Sequence, residues 1–122
     1  MRIFKTKWFA RFARKERIDD EMLMNAIREI ERGLTDGELG VELVKKRIAR
    51  FGEGKRGGYR TIIAYRAGSL SVFLYGFPKN AKSNLNPVEL DVYRRLAHIY
   101  LGFSDEDFAK AQQNGEVEEV HP

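Results

Sequence analysis

The sequence predicts an α+β domain with an N-terminal strand, a helical hairpin, a three-stranded antiparallel meander that completes a twisted sheet, and C-terminal helices. Two observations support this fold class. Apolar residues recur at helical spacing near both ends of the chain. Between them, three runs rich in β-branched and aromatic residues are joined by short links that contain glycine. The 122 residues are enough for one compact domain, and the 43% that are hydrophobic allow a substantial core.

The N-terminal third predicts one strand and two helices. Residues 2–5 are expected to form the strand, and the spacing of apolar side chains predicts a helix over residues 7–16. Asp19 is the expected N-cap of the second helix. Gly33 is expected to end that helix, because glycine adopts the left-handed conformation at low cost. Since about two residues link the helices, we expect an antiparallel hairpin.

The middle of the chain predicts three neighbouring strands. They are expected at residues 44–51, 59–66 and 70–77, where β-branched and aromatic side chains are concentrated. The third run is almost continuously apolar, which is typical of a central strand that is covered on both faces. We therefore expect these three strands to form the meander.

The C-terminal part predicts two helices. Asn86 is the expected N-cap of the first, with Pro87 in its first turn and its end near Leu101. Most of the surface of this helix is apolar, so we expect it to be covered on more than one side. Ser104 is expected to cap a last helix that ends near residue 113, and the tail after residue 115 is expected to fray.

Charge divides the chain into two parts. The net charge is +4, but residues 104–122 contain six acidic residues and one lysine, which gives −5 and leaves +9 for residues 1–103. We expect residues 1–103 to form the functional domain and residues 104–122 to form an acidic helical extension with a tail. The basic excess favours a polyanionic partner, although solubility alone would also explain it. The extension could fold towards the basic surface, contribute to a partner contact, or form a solvated helix packed on Tyr100 and Phe103.

The composition excludes several classes of protein. There is no cysteine, which excludes a disulfide scaffold, a thiolate nucleophile and a cysteine-based zinc site, and suits a reducing cytoplasm. With two histidines, a histidine-rich metal site is hard to build. The longest apolar runs are too short to span a bilayer, and the N-terminal residues show no signal-peptide pattern. We therefore expect a cytoplasmic protein with no metal, no cofactor and no membrane contact.

The stretch GEGKRGGYR at residues 52–60 is rich in glycine and cations. Three of its glycines match the dinucleotide pattern G-x-G-x-x-G, but that pattern needs a following helix, and here a strand is expected. A P-loop is also disfavoured, because Lys55 is followed by Arg56 rather than by serine or threonine. Two interpretations remain: a hairpin loop whose backbone and cations hold a phosphate, or a solvated hairpin tip.

A second cationic and aromatic stretch, YGFPKN at residues 75–80, ends the last strand of the meander. In an antiparallel meander this end lies beside Arg60, at the start of the preceding strand. Cations interleaved with aromatic rings suit single-stranded RNA, although Tyr75 and Phe77 could equally be core residues. The candidate RNA-binding residues are Lys45, Lys46, Arg47, Arg50, Tyr75, Phe77 and Lys82.

The order of elements, together with the stretches GKRGGYRTI and YGFPKN, resembles the RelE/ParE superfamily of bacterial toxins from type II toxin–antitoxin systems. The similarity extends from residue 1 to about residue 101 and is greatest to the HigB-like branch. It implies an enzyme that cleaves mRNA, mainly in the ribosomal A site. It also implies a protein antitoxin that covers the basic cleft and usually represses the shared operon.

The resemblance also implies roles for particular residues. The family reaction is attack of a 2′-hydroxyl on the adjacent phosphate, which leaves a 2′,3′-cyclic phosphate and needs no metal. Arg60 corresponds to the strand arginine that stabilises the transition state, and Lys79 lies near the second cation of the family. Lys55 and Arg56 lie where the family places base or phosphate-holding cations. The acid-donating tyrosine of well-studied members has no counterpart in SNLNPVEL at residues 83–90, so the candidate acids are Tyr75, Tyr93 and His98.

Two other functions stay open on the same fold. One is a ParE-like inhibitor of DNA gyrase, which poisons a protein target and cuts no RNA. The other is an inactive RNA-binding domain. The gathering of cations at one strand edge favours the ribonuclease, because an inhibitor of gyrase needs no such cluster.

Overall fold

The computed structural model describes residues 1–50, 54–80 and 84–121, and for residues 54–57 it describes the backbone alone. The fold is α+β, as the sequence predicts. Its elements in chain order are β1 (Arg2–Thr6), α1 (Lys7–Glu16), α2 (Asp20–Glu31), β2 (Gly37–Gly40), β3 (Leu43–Arg50), β4 (Gly54–Arg66), β5 (Leu70–Pro78), α3 (Pro87–Leu101), α4 (Asp105–Gln113) and β6 (Val117–Glu119).

Within the described residues, six strands form one sheet in the order β2-β3-β4-β5-β1-β6. Strands β3, β4 and β5 form the expected antiparallel meander, and β1 pairs with β5 in parallel. The hairpin α1–α2 packs on one side of the sheet, which we call the hairpin face, and α3 and α4 pack on the other, which we call the α3 face. The hairpin-face core includes Phe9, Leu23, Ile27, Ile63 and Phe73. The α3-face core includes Phe4, Ile62, Leu74, Leu101 and Phe108.

The predicted helix ends are confirmed. The Asp19 carboxylate accepts a hydrogen bond from the Met22 amide at 2.9 Å, and Gly33 has a φ of +82° just beyond the end of α2. Asn86 and Ser104 each form a full capping box at the start of α3 and α4. No helix in the described part of the chain is long and apolar enough to cross a membrane.

The expectation that the tail after residue 115 frays was wrong. Residues Val117–Glu119 form β6, which pairs antiparallel with β1 at the edge of the sheet. Arg2 holds this strand with two hydrogen bonds to the Glu119 carboxylate, at 3.1 and 3.0 Å. The backbone N–H of Val120 also donates to the Ile3 carbonyl at 2.8 Å. β6 could not be predicted from residue patterns, because three residues are too few to show an alternating pattern.

The acidic extension therefore has a structural role at the β1 edge. Its carboxylates pair with Arg2 and Arg14, while the Phe108 ring stacks on Phe4 with the ring centroids 4.0 Å apart. Phe108 also contacts Phe103, as expected for a final helix packed on the end of α3. These ion pairs use carboxylates that could otherwise fold towards the basic surface.

The expectation that α3 is covered on more than one side was also wrong for the described residues. Its inner side is buried against the sheet through Ala97 and Leu101. On the outer side, Val88, Val92 and Ile99 keep 74%, 46% and 52% of their surface exposed.

Candidate functional site

Arg60 and the end of β5 meet on the α3 face of the sheet. Ile62 and Ala64 belong to the core of this face, and side chains alternate along a strand, so Arg60 points to the same side. The register pairs Arg60 directly with Phe77. The middle of β4 and the end of β5 therefore form one patch.

A β-bulge determines which side chains of β5 join this patch. The register of β5 against β4 shifts by one residue at Leu74. As a result, Leu74 and Tyr75 both belong to the α3-face core, although they are adjacent in sequence and Phe73 belongs to the hairpin-face core. Phe77 then follows Tyr75 on the α3 face, with their ring centroids 5.6 Å apart. Without the bulge, simple alternation would have turned both rings to the hairpin face.

Two arginines lie directly opposite each other on neighbouring strands of this patch. Arg47 of β3 is the cross-strand partner of Arg60, and Arg60 is buried, with 6% of its surface exposed. In the part of the chain that the structure describes, two buried side-chain nitrogen atoms have no hydrogen-bond partner, and they are Arg47 Nε and Arg60 Nη1. The site thus holds guanidinium groups whose hydrogen-bonding capacity is not fully used.

Asp36 and Asn84 are neighbours of the site that sequence reasoning missed. The Asp36 carboxylate accepts a hydrogen bond from the Arg47 amide at 2.6 Å, and its other oxygen lies 3.8 Å from Arg47 Nε. Asn84 accepts from the Lys45 ammonium at 3.3 Å. Both residues lie in polar, turn-like stretches of the sequence. Such stretches do not indicate contacts with residues that are 11 or 39 positions away, as Arg47 and Lys45 are.

Lys79 follows the last residue of β5. Its N–H donates to the Gly58 carbonyl at 3.3 Å, which continues the β4–β5 ladder by one residue. Continued alternation from Phe77 places Lys79 on the α3 face together with Arg60. The Lys79 side chain is exposed to solvent.

Two stacked tyrosines border the site on the α3 side. Tyr75 and Tyr93 lie with their ring centroids 5.0 Å apart and their planes inclined by 17°. Burial, together with the nearby Tyr75 and Glu89, raises the pKa of Tyr93 to about 12. The Tyr93 hydroxyl is protonated at neutral pH, as for any tyrosine, and its raised pKa makes it a weaker proton donor than an ordinary tyrosine.

Three of the residues predicted for the site are placed elsewhere. Lys46 is buried on the hairpin side, where it forms an ion pair with Glu29 at 2.7 Å. Arg50 lies over the Tyr59 ring, which also belongs to the hairpin-face core. His98 lies near the C-terminal end of α3, beside Leu101, whose carbonyl contacts the far end of β4 through Arg66.

These placements correct the sequence-based set. Alternation separates Lys46 from Lys45 and Arg47, and His98 lies towards the Arg66 end of β4, which is six residues along the strand from Arg60. The side chains of Lys55, Arg56 and Lys82 lie outside the described residues. Within the described part of the chain, no group of three or more His, Asp or Glu side chains is placed to hold a metal ion.

A family model, described as the RelE toxin of the RelE/RelB toxin–antitoxin system, matches residues 1–120. The chain therefore belongs to the RelE toxin family. A search of the curated proteins gives no match.

Family membership has direct consequences. The chain belongs with toxins that have an antitoxin as their partner, and RelE family toxins are generally ribonucleases. The match does not favour the ParE-like alternative. It also extends through residues 104–120, so the acidic segment is matched together with the rest of the domain.

Proposed function

We propose that this toxin is an endoribonuclease that cleaves mRNA on the ribosome, in the cytoplasm and without a metal ion. One observation carries the proposal: the cross-strand pair Arg47 and Arg60, each with a buried nitrogen atom that has no hydrogen-bond partner among the described residues.

The two facing guanidinium groups favour an anionic ligand. Like charges directly opposite each other destabilise a sheet, and an unsatisfied buried donor costs about 1–3 kcal/mol. An anion between the two guanidinium groups would relieve both costs. Arginine suits phosphate in particular, because its planar fork donates two parallel hydrogen bonds. The neighbouring aromatic rings suit the bases of an RNA strand better than an isolated phosphate ion.

The proposed reaction is an internal phosphoryl transfer. A base removes the proton of the 2′-hydroxyl, the 2′-oxygen bonds to the adjacent phosphorus, and the bond from phosphorus to the 5′-oxygen breaks. An acid protonates the leaving 5′-oxygen. The products are a 2′,3′-cyclic phosphate and a 5′-hydroxyl end. Charge builds up on the non-bridging oxygens in between, where fixed cations stabilise it most.

The residues divide these roles as follows. Arg60 and Lys79 hold the charge of the transition state, and Arg47 and Lys45 bind the flanking phosphates. Lys55 and Arg56 supply the base and a further phosphate contact, an assignment that rests on their place in the sequence motif. The acid is one of the stacked pair Tyr75 and Tyr93, since His98 is remote.

Inducible expression with mapping of mRNA 5′-ends tests the proposal. Wild type is compared with Arg60→Ala and with Arg66→Ala, a matched arginine at the C-terminal end of β4 that pairs with Glu42 on the surface. We expect growth arrest and codon-phased cuts from wild type and Arg66→Ala, and neither from Arg60→Ala. Cuts that persist in Arg60→Ala would overturn the proposal. Arrest with DNA damage and intact mRNA would support a gyrase inhibitor instead.

Ribosome dependence is tested separately with purified toxin. We expect cleavage of a message bound to programmed ribosomes and little cleavage of the same message alone. Equal cleavage of both would contradict the ribosomal part of the proposal while leaving the nuclease part intact. The HigB-like branch stays a prediction, which the codon pattern of the cuts will test.

A further inference from the structure

Asp36 contacts β3 with both its backbone and its side chain. Its N–H donates to the Lys45 carbonyl at 3.0 Å, and its carboxylate accepts from the Arg47 N–H at 2.6 Å. The register of β2 against β3 runs from Gly40 opposite Leu43 to Gly37 opposite Lys45. The Asp36 carboxylate therefore accepts the hydrogen bond that a backbone carbonyl of a longer β2 would accept from β3.

The segment that carries Asp36 is also anchored at the preceding residue of β3. The Lys46 ammonium donates to the Leu34 carbonyl at 2.8 Å and pairs with Glu29 of α2 at 2.7 Å. The Leu34 N–H in turn donates to the Glu29 carbonyl at 2.9 Å. Two successive residues of β3 thus hold the same segment, so the Asp36 carboxylate has a fixed position relative to the strand.

The second oxygen of the Asp36 carboxylate faces the Arg47 guanidinium without a hydrogen bond to it. This oxygen lies 3.8 Å from Arg47 Nε, which is within the range of an ion pair but too far for a hydrogen bond. Arg47 Nε has no hydrogen-bond partner in the part of the chain that the structure describes. The carboxylate therefore attracts the guanidinium and offsets its repulsion from Arg60, while the Nε donor stays unused.

We propose that Asp36 is the positioning residue for Arg47, because it fixes the Arg47 backbone opposite Arg60 and orients the guanidinium towards a flanking phosphate of the RNA. The inference deepens the proposed function and rests on it for the identity of the ligand. The negative charge of Asp36 also opposes the approach of a phosphate, so it lowers RNA affinity while it improves the geometry. Asparagine separates the two effects, since its side-chain carbonyl can accept the same hydrogen bond without the charge.

The test measures cleavage of a ribosome-bound message and binding of a 2′-deoxy oligonucleotide, which has no 2′-hydroxyl to attack the phosphate. Asp36→Asn should keep kcat within about threefold of wild type and bind the oligonucleotide about threefold more tightly at low salt, with a smaller gain at high salt. Asp36→Ala also removes the acceptor, so its kcat should lie about tenfold below that of Asp36→Asn. Asp91→Ala is the matched control, because Asp91 pairs with Arg95 at 2.8 Å on α3, and both of its values should stay within about twofold of wild type.

A double-mutant cycle separates positioning from a general effect on the fold. In the Arg47→Ala background, Asp36→Ala should change kcat by less than about twofold, because the guanidinium that Asp36 orients is gone. Additive losses in the double variant would overturn the inference. So would wild-type kcat in Asp36→Ala, or Asp36→Asn as slow as Asp36→Ala. The urea midpoint of each variant shows that folded protein is being assayed.

The binding measurement distinguishes failure of this inference from failure of the proposed function. If wild type cuts no RNA, the proposed function fails, but the oligonucleotide affinities still report on Asp36. Asp36→Asn should then bind more tightly than Asp36→Ala, and this difference should vanish when Arg47→Ala is combined with each. Equal affinities of Asp36→Asn and Asp36→Ala, or a difference that persists without the Arg47 side chain, would overturn the positioning role.

Discussion

Replacement of Arg60 by methionine should raise the stability of the protein and remove its activity. Lys46 is a second buried cation, on the neighbouring strand β3, and the same substitution there serves as the comparison. The Lys46 side chain is 3% exposed, and its ammonium contacts the Glu29 carboxylate at 2.7 Å and the Leu34 carbonyl at 2.8 Å. Arg60 is 6% exposed, and its Nη1 atom has no hydrogen-bond partner in the part of the chain that the structure describes.

The two environments predict changes of opposite sign. Methionine keeps the unbranched stem of both side chains, although at Arg60 it is shorter by Cζ and the two terminal nitrogen atoms. At Arg60 it removes an unsatisfied donor and the repulsion from Arg47, which should stabilise the protein by about 1–3 kcal/mol. At Lys46 it removes the cation that faces the Glu29 carboxylate, and breaking a buried pair in this way costs about 3–5 kcal/mol. Because Glu29 is 25% exposed, we expect the lower end of that range.

Urea unfolding of wild type, Arg60→Met and Lys46→Met measures these changes. The sole tryptophan, Trp8, provides the fluorescence signal, and an unchanged slope against urea shows that the same transition is being followed. Cleavage by Arg60→Met should fall about 10²–10³-fold, as when one preorganised cation is removed from a transition state. Lys46→Met should keep its activity under conditions where it is folded.

A loss of stability in Arg60→Met comparable to that in Lys46→Met would refute the reasoning. It would mean that the Arg60 guanidinium is satisfied within the fold and is not held ready for an anion. Added phosphate or a short oligonucleotide should raise the urea midpoint of wild type and leave that of Arg60→Met unchanged. This second measurement tests directly whether Arg60 binds an anion.

Three further predictions concern stability and titration. Phe108→Ala should cost about 3–5 kcal/mol in urea unfolding, because it removes the ring stacked on Phe4; a change below 1 kcal/mol, roughly the size of a surface substitution, would contradict the packing of α4. In a spectroscopic titration, one tyrosine should ionise near pH 12, and Tyr93→Phe should remove that step. Since the pKa of Tyr93 is raised on folding, its contribution to stability should be present below pH 10 and be lost as the pH rises towards 12. The hydrogen bond from Arg2 lowers the pKa of Glu119. The contribution of Glu119 to folding stability should therefore be present above the ordinary glutamate pKa and be lost as the pH falls below it. Glu119→Gln should reduce the fall of the melting temperature at acidic pH. An unchanged fall would show that other carboxylates dominate it.

The helices were predictable from the sequence because their signals are local. The side chains of Asp19, Asn86 and Ser104 each accept a hydrogen bond from the backbone N–H three residues further along the chain. The residues that cap a helix therefore also mark its start in the sequence. The meander was predictable for a similar reason, since its strands are adjacent in sequence and joined by short links. β2 was missed because its four residues include two glycines and carry no apolar alternation.

The site was predictable only in part, because a face of the sheet is a non-local property. The sequence identifies Arg60, Tyr75 and Lys79 as neighbours at one strand edge, which follows from antiparallel pairing alone. The side on which Tyr75 lies depends on a single extra residue, Leu74, and no pattern of residue types marks that bulge. The burial of Lys46 depends on Glu29 of another element, which a scan of one strand cannot reveal.

The pairing of β1 with β6 has a consequence for how the chain folds. Arg2 and Glu119, which join the two strands, are separated by 117 positions in sequence, so a loop of almost the whole chain must close before they meet. The meander needs no such closure and should form first. In the interval β1 has an open edge, where a strand of another molecule can pair in place of β6. Refolding at low concentration should therefore give a higher yield of monomer than refolding at high concentration.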